Sequence, residues 1–221
     1  KPGMANNVRK CLINLNIQAD LLTGITNSTK IRFVDIKNNS QYLRVDSDPK
    51  SPQPVDLSQV NWVKYDAVIV SDYDKGAITT NTLSVISNNF PDKPKFLDTK
   101  KKDLSRFHDY IIKINEKEAL EADYVPPGTI VTLGPDGAIC DGVQYPALKT
   151  DVVDVCGAGD AFLAGLVYGY FHMKNKLILP AIVNAGISVR HLGTYAPKEK
   201  ELLEGLKQYE SQLGHSGKRL G

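Results

Sequence analysis

Several things are scarce in this chain, and each scarcity narrows what it can be. No apolar stretch approaches the about 20 residues of a membrane-crossing helix, so no segment reads as a helical span and no membrane partner is expected. There are three cysteines (Cys11, Cys140 and Cys156), an odd number without metal-like spacing, which speaks against a disulfide framework and for a reducing compartment. The four histidines (His108, His172, His191, His215) form no ligand pattern. An excess of one charge sign is also missing: 27 basic residues stand against 25 acidic ones, for a net charge of +2. The one basic run, Lys100-Lys101-Lys102, is too short for a nucleic-acid-binding arm, and no nucleic-acid partner is expected. No secretory leader pattern follows Lys1, and a cytoplasmic location is the expectation.

What is present is a chain of 221 residues, 42% hydrophobic and 24% charged, enough to bury one sizeable core. Periodicity predicts a helix over Ala5–Leu15, a strand over Ala19–Leu22, and two strands, Lys30–Ile36 and Gln41–Asp46, joined at Asn38-Asn39 as a hairpin with one wet face. The three prolines of 47–54 mark a loop. From Tyr65 onward strand and helix signals alternate: strands at 66–70, 95–97, 110–114, 129–133, 138–140 and around Val143, with helices over 80–89 and from Glu116. Three helices close the chain, over 158–172, 177–192 and 198–213, and 214–221 reads as a disordered tail. This order predicts an α/β fold, a βαβ sandwich around a central, mostly parallel sheet, with the hairpin at 29–47 as a small β flap or lid on a domain of residues 1–213.

The most informative segment is Asp154-Val155-Cys156-Gly157-Ala158-Gly159-Asp160-Ala161-Phe162. An apolar run enters two glycines flanking an alanine, an acid follows, and an apolar helix begins. Small residues at a helix start leave the first N–H groups approachable, so the turn can cradle an anion on the positive end of the helix dipole. An acid on the rim is well sited to take the proton of a hydroxyl that attacks a phosphate. The plainer alternative is a tight helix–sheet contact with Asp160 as an ordinary first-turn acid. A dinucleotide fingerprint is excluded because Phe162 stands where its third glycine belongs, and a P-loop because Val143-Gln144 follow the only similar glycine pair, Gly137 and Gly142. Cys156 fills space in this turn, with no histidine nearby in sequence to activate it.

This segment resembles the signature of the ribokinase-like (PfkB) carbohydrate kinases. The resemblance implies an ATP-dependent sugar kinase in which Asp160 is the catalytic base and the N–H groups of Gly157, Ala158 and Gly159 hold the transferring phosphoryl group. Gly3-Met4-Ala5-Asn6-Asn7 resembles the family's N-terminal Gly-Gly-x-x-Asn element, with Met4 in place of the second glycine. It implies that the backbone at Gly3 approaches the sugar and that Asn7 holds a hydroxyl, a plain helix start being the alternative. Asn115-Glu116-Lys117-Glu118 resembles the Asn-x-x-Glu motif that orders water, Mg²⁺ and nucleotide phosphates, with Glu118 acting on the metal through water; the alternative is a capping box. Thr132, Gly134 and Gly137 fall in the segment that borders the nucleotide. Asn184, with Gly193 and Thr194, falls where the adenine pocket and a monovalent-cation (K⁺) site close, with Asp154 as a ligand of that cation.

Within the family the chain resembles the heptose-7-phosphate kinases of lipopolysaccharide precursor synthesis, through Thr29–Arg32, Gln41–Asp46, Ser71-Asp72-Tyr73-Asp74-Lys75-Gly76 and Leu97-Asp98-Thr99-Lys100. A sugar that already carries a phosphate needs a cation. Arg44, Lys75 and Lys100, together with Asp72, are the implied substrate residues, solvated surface charge being the alternative. The resemblance also implies a first strand preceding Lys1 and a longer segment between Gly24 and Thr29, and an exposed flap of this kind can pair with its twin in a homodimer. Other acceptors in the family (ribose, fructose, adenosine) and an inactive sugar- or nucleotide-binding relative are the competing expectations.

Overall fold

The computed structural model of the chain describes residues 3–24, 29–34, 41–174 and 176–215. Its elements in chain order are α1 (Met4–Asn14), β1 (Thr29–Val34), β2 (Gln41–Ser47), β3 (Val68–Ser71), α2 (Thr80–Asn89), β4 (Lys95–Asp98), β5 (Ile111–Asn115), α3 (Glu116–Glu121), β6 (Ile130–Thr132), β7 (Ala138–Cys140), β8 (Val143–Tyr145), α4 (Ala158–His172), α5 (Ile178–Ser188) and α6 (Glu199–His215).

The central sheet runs β3-β4-β5-β6-β7-β8. Its first four strands are parallel, with Val70 beside Leu97, Leu97 beside Ile112, and Ile114 beside Val131. β7 and β8 add an antiparallel edge. Strand alternation sends side chains to two layers. Phe96 joins Val8, Leu12, Leu163, Leu166, Val183 and Tyr209 under α1, α4, α5 and α6. Leu97, Ile112 and Ile114 join Leu83 and Ile86 of α2, together with Leu104, Phe107 and Tyr110 from the 99–110 segment. Burial on both faces explains why these strands read as continuous apolar runs.

α2 is capped at both ends. Thr79 accepts the Thr82 N–H and forms a capping box. At the far end the buried Lys95 Nζ donates to Phe90 O (2.8 Å), with Pro91 O and Lys93 O at 3.3 Å, a cation on the negative end of the helix. α4 is buried around almost its whole circumference, and it lies on α5 because Gly165 and Gly169 permit backbone contact. A Cβ at Gly165 would stand 2.6 Å from Ala181 Cα, and one at Gly169 2.7 Å from Leu177 O.

The hairpin is a separate two-stranded sheet, with Lys30 opposite Asp46 and Leu43 and Val45 exposed; its Asn38-Asn39 turn lies outside the described residues. Three expectations are corrected. The predicted strand at 19–22 has no regular structure: it has no partner strand among the described residues, and the Ala19 carbonyl instead accepts from Arg9 Nε (2.8 Å). The helix predicted over 177–192 ends at Ser188, and 189–194 turns back toward the loop before α4. α6 runs on to His215, into the predicted tail, because Tyr209 and Leu213 are buried on its inner face; residues 216–221 lie outside the described part.

Candidate active site

The carboxyl ends of the parallel strands, where open α/β sheets bind ligands, bring Ser71-Asp72, Asp98, Asn115 and Thr132 to one edge. The glycine turn and the start of α4 face that edge. Asp154 anchors the turn: its Oδ1 accepts the Cys156 N–H (2.9 Å) and its Oδ2 the Gly193 N–H (2.8 Å). The N–H groups of Val153 and Asp154 both reach Val189 O. Gly157, the N-cap of α4, has φ +84°, and a Cβ there would lie 2.8 Å from Asn7 Nδ2, so both backbone and space call for glycine. With no side-chain cap, the first N–H groups of α4 are left facing outward, apart from the Ala158 N–H, which turns back to Val155 O at 3.2 Å.

Asp160 lies in this first turn, 1% exposed. Its Oδ2 accepts from Asn7 Nδ2 at 2.8 Å. Burial lifts its pKa to about 6; the Asn7 hydrogen bond pulls against that rise, the Asp98 charge adds to it and Lys113 opposes it. A carboxylate poised near neutrality suits a general base.

Beside it lies a charge network that sequence reasoning missed. The buried Lys113 Nζ pairs with Asp98 Oδ2 at 3.0 Å and stands 3.1 Å from where a Gly159 Cβ would be, so the ammonium sits against the glycine turn. Burial holds Asp98 above the ordinary carboxylate range, against the pull of Lys113. Burial and the charges of Asp160, Asp98 and Glu118 push the Tyr73 phenol far upward, which keeps it protonated and a donor. The signal was a lysine inside the apolar strand Ile111-Ile112-Lys113-Ile114, because a buried charge is the informative kind of residue.

The remaining expected residues fall as follows. Asn115 and Glu118 form the capping box of α3: Asn115 Oδ1 accepts the Glu118 N–H (2.9 Å) and Glu118 Oε2 accepts the Asn115 N–H (2.8 Å). The other carboxylate oxygen pairs with Lys100 at 3.2 Å, and that ammonium lies 5.3 Å from the Tyr73 ring centre. Lys100 therefore stands beside the Asn-x-x-Glu element. Glu116 and Lys117 are exposed, Lys117 with Glu121 one turn on (3.6 Å). Thr132 Oγ1 donates to Ile114 O (3.3 Å). Gly134 has φ +59° with open space above it, whereas a Cβ at Gly137 would stand 1.9 Å from Tyr145 O, so packing of β7 and β8 already accounts for that glycine. Asn184 is sealed between α4 and α5, its amide donating to Ala161 O (2.8 Å) and its Oδ1 unpartnered. Around Gly3 a Cβ would meet nothing within 4 Å.

Of the residues expected to bind the substrate, Asp72 Oδ2 accepts from Thr99 (2.8 Å) and lies 3.2 Å from Lys101, which also holds Asp74 at 2.7 Å. Lys75 pairs with Asp48. Arg44 lies opposite Arg32 in the hairpin, with its side chain outside the described part.

The residues present fit a nucleotide phosphate chain better than a caged metal. Bare amides and a buried ammonium face one turn, while among the described residues no group of three His, Cys, Asp or Glu could hold a metal ion. Both Glu118 oxygens are already engaged. That donor set suits a cation kept mainly by water and phosphate, the habit of Mg²⁺.

A buried carboxylate beside an uncapped helix start, on an α/β sandwich with a detached hairpin, is the arrangement that suits phosphoryl transfer. Known proteins agree. The family model described as pfkB family carbohydrate kinase matches residues 6–201, and the chain belongs to that family. It is 30% identical over 210 residues to the bifunctional protein HldE of Nitratiruptor sp., covering 80% of this chain and 44% of that protein. With the HldE of Aliarcobacter butzleri the identity is 27% over 250 residues, covering 97% and 52%. The chain thus spans about half the length of the curated relatives it matches. Among solved structures, a ribokinase from Thermotoga maritima superposes with a TM-score of 0.65 at 17% identity, covering 93% of this chain and 87% of that one. A sugar kinase from Pyrococcus horikoshii in complex with ATP superposes at 0.62 and 20% identity, covering 94% and 90%. The fold is ribokinase-like, and no helix among the described residues is long and apolar enough to cross a membrane.

Proposed function

We propose that this chain transfers a phosphoryl group from ATP to the anomeric hydroxyl of a heptose 7-phosphate, giving the 1,7-bisphosphate for nucleotide-activated heptose and lipopolysaccharide precursor synthesis in the cytoplasm. The observation that carries the reading is Asp160, buried, held by Asn7 and poised at about 6 beside bare amides and the Lys113 ammonium. The resemblance to HldE proteins supports the choice of sugar.

In this reading Asp160 Oδ takes the proton of the attacking hydroxyl. Asn7 aims the carboxylate, which leaves its second amide hydrogen and its carbonyl oxygen for the sugar. The amides of Gly157 and Gly159, with Lys113, stabilise the charge that builds on the transferring group, and the Ala158 N–H joins them by releasing Val155 O. Asp98 keeps Lys113 charged and in place. When bound, Mg²⁺ neutralises nucleotide phosphate charge, and Glu118 would hold its water shell while Asn115 fixes Glu118. Each Asp154 oxygen accepts one N–H and keeps a lone pair, so the carboxylate can add a K⁺ without releasing the turn. Asn184 acts by holding α4 at Ala161. The hairpin covers the sugar, and its exposed Leu43 and Val45 are the face through which two copies would pair.

A coupled ADP-release assay with heptose 7-phosphate, unphosphorylated heptose, ribose, fructose and adenosine tests this. Turnover of the heptose phosphate above the others is expected. Preference for ribose or a nucleoside overturns the sugar assignment, and no turnover with any acceptor overturns the kinase reading in favour of a binding relative.

A further inference from the structure

Beyond the carboxyl end of β4 lies a cleft of about 470 Å³ that the reaction described above does not use. Four cations line it (Lys100, Lys101, Lys102 and Arg106) against two carboxylates, Asp74 and Asp103. Both carboxylates are occupied: Asp74 holds Lys101 at 2.7 Å, and Asp103 Oδ1 accepts the Ser105 N–H (3.0 Å) and the Ser105 hydroxyl (2.6 Å). Lys101 and Lys100 have their own acids, Asp72 and Glu118. Lys102 and Arg106 have none within ion-pair distance among the described residues, although both face the cleft. Arg106 feels the Asp103 carboxylate only beyond ion-pair distance, so neither cation is held in a direct pair, and with four cations to two carboxylates in the lining an anion would displace only water from them. The cleft also adjoins the catalytic turn, because Lys100 lies against the Tyr73 ring and Tyr73 feels the charge of Asp160.

We infer that this cleft is the subsite for the phosphate the sugar already carries, with Arg106 and Lys102 as its specificity-determining residues. The inference rests on the proposed sugar phosphate kinase reading. It shifts the anion-binding role away from Lys75, whose charge Asp48 already answers. A dianionic phosphate accepts the planar fork of Arg106 in two parallel hydrogen bonds, with Lys102 as a second point charge. A neutral sugar would gain nothing from either, so the cleft would select phosphorylated acceptors.

The test compares Arg106→Ala, Lys102→Ala and the double variant with the parent chain, using heptose 7-phosphate and unphosphorylated heptose as acceptors. Titration calorimetry of both sugars provides a readout that does not need turnover. Loss of one charge-assisted contact should raise KM and Kd for heptose 7-phosphate about tenfold to a hundredfold. KM for ATP and the weak binding of unphosphorylated heptose should not move, and Arg106→Lys should recover only part of the loss. Unchanged Kd and KM for heptose 7-phosphate in the double variant would overturn the subsite and leave the kinase standing. Failure of the parent to bind heptose 7-phosphate more tightly than heptose would overturn the subsite through its premise, and the acceptor panel would then separately show whether the chain is a kinase of another sugar.

Discussion

Asn7 Nδ2 donates to Asp160 Oδ2 at 2.8 Å across 153 residues of chain, both side chains buried. This bond joins the start of α1, where the sugar is expected, to the start of α4, which carries the proposed base. A group that holds the carboxylate by donating to it favours the ionised form, so Asn7 both aims Asp160 and moderates the rise that burial imposes on its pKa.

The pH dependence follows from that balance. Asp160 must be ionised to accept a proton, so turnover should climb with pH through an apparent pKa of about 6. Asn7→Ala removes the donor and should move this limb to higher pH, so that the loss of rate is larger at pH 6.5 than at pH 8.5. A pH–rate profile checks it, and an unmoved limb would mean that Asn7 serves the sugar alone.

Asp160→Asn keeps the shape of the side chain and removes the proposed base. Turnover should fall roughly 10²- to 10⁴-fold, with little change in ATP affinity. Stability should respond in the opposite sense. The folded-state pKa lies above the ordinary value of 3.8, so the parent's contribution from this group is fully present below about pH 3.8 and is lost as pH rises through about 6. The Asn variant escapes that loss, and its Tm relative to the parent should improve between pH 4 and 7.

Two glycines of α4 and its cap should fail differently. Gly157→Ala places a Cβ 2.8 Å from Asn7 Nδ2 at a positive φ, pushing on the Asn7–Asp160 bond. Turnover should fall at least tenfold, about 1.4 kcal/mol, for a modest loss of stability. Gly165→Ala drives a Cβ into the α5 backbone at Ala181 and should cost about 1–3 kcal/mol of stability while sparing the rate per folded molecule. Kinetics beside thermal melts separate the two effects.

Lys113→Met strands the half-buried Asp98 carboxylate and should destabilise the chain by about 3 kcal/mol as well as slow it. The double variant Asp98→Asn/Lys113→Met removes both charges and should regain most of the stability and none of the lost rate. Recovery of rate in the double variant would show that Lys113 serves only to satisfy Asp98.

Much of this was legible before folding was considered. Helix α2 and helix α4 run over the predicted residues, 80–89 and 158–172, because a threonine cap and a glycine turn are local signals that need no distant partner. The parallel strands announced themselves as apolar runs, since burial on both faces leaves no place for alternation. The glycine turn was legible as an uncapped helix start, because small residues there follow from the sequence alone.

Tertiary structure decided what those parts do together. The chain at 19–22 has strand-like residues and no strand to pair with among the described residues, so it stays irregular. Asn7 meets Asp160, and Lys113 reaches Gly159, only because α1, α4 and β5 converge at the carboxyl edge of the sheet. In sequence Lys100 is an implied substrate residue with solvated surface charge as the alternative, and packing turns it toward Glu118. Local propensity is set by each residue and its near neighbours, whereas the charge state of Asp160 and the gathering of four cations around the cleft at Arg106 depend on groups that only the closed sandwich brings within reach.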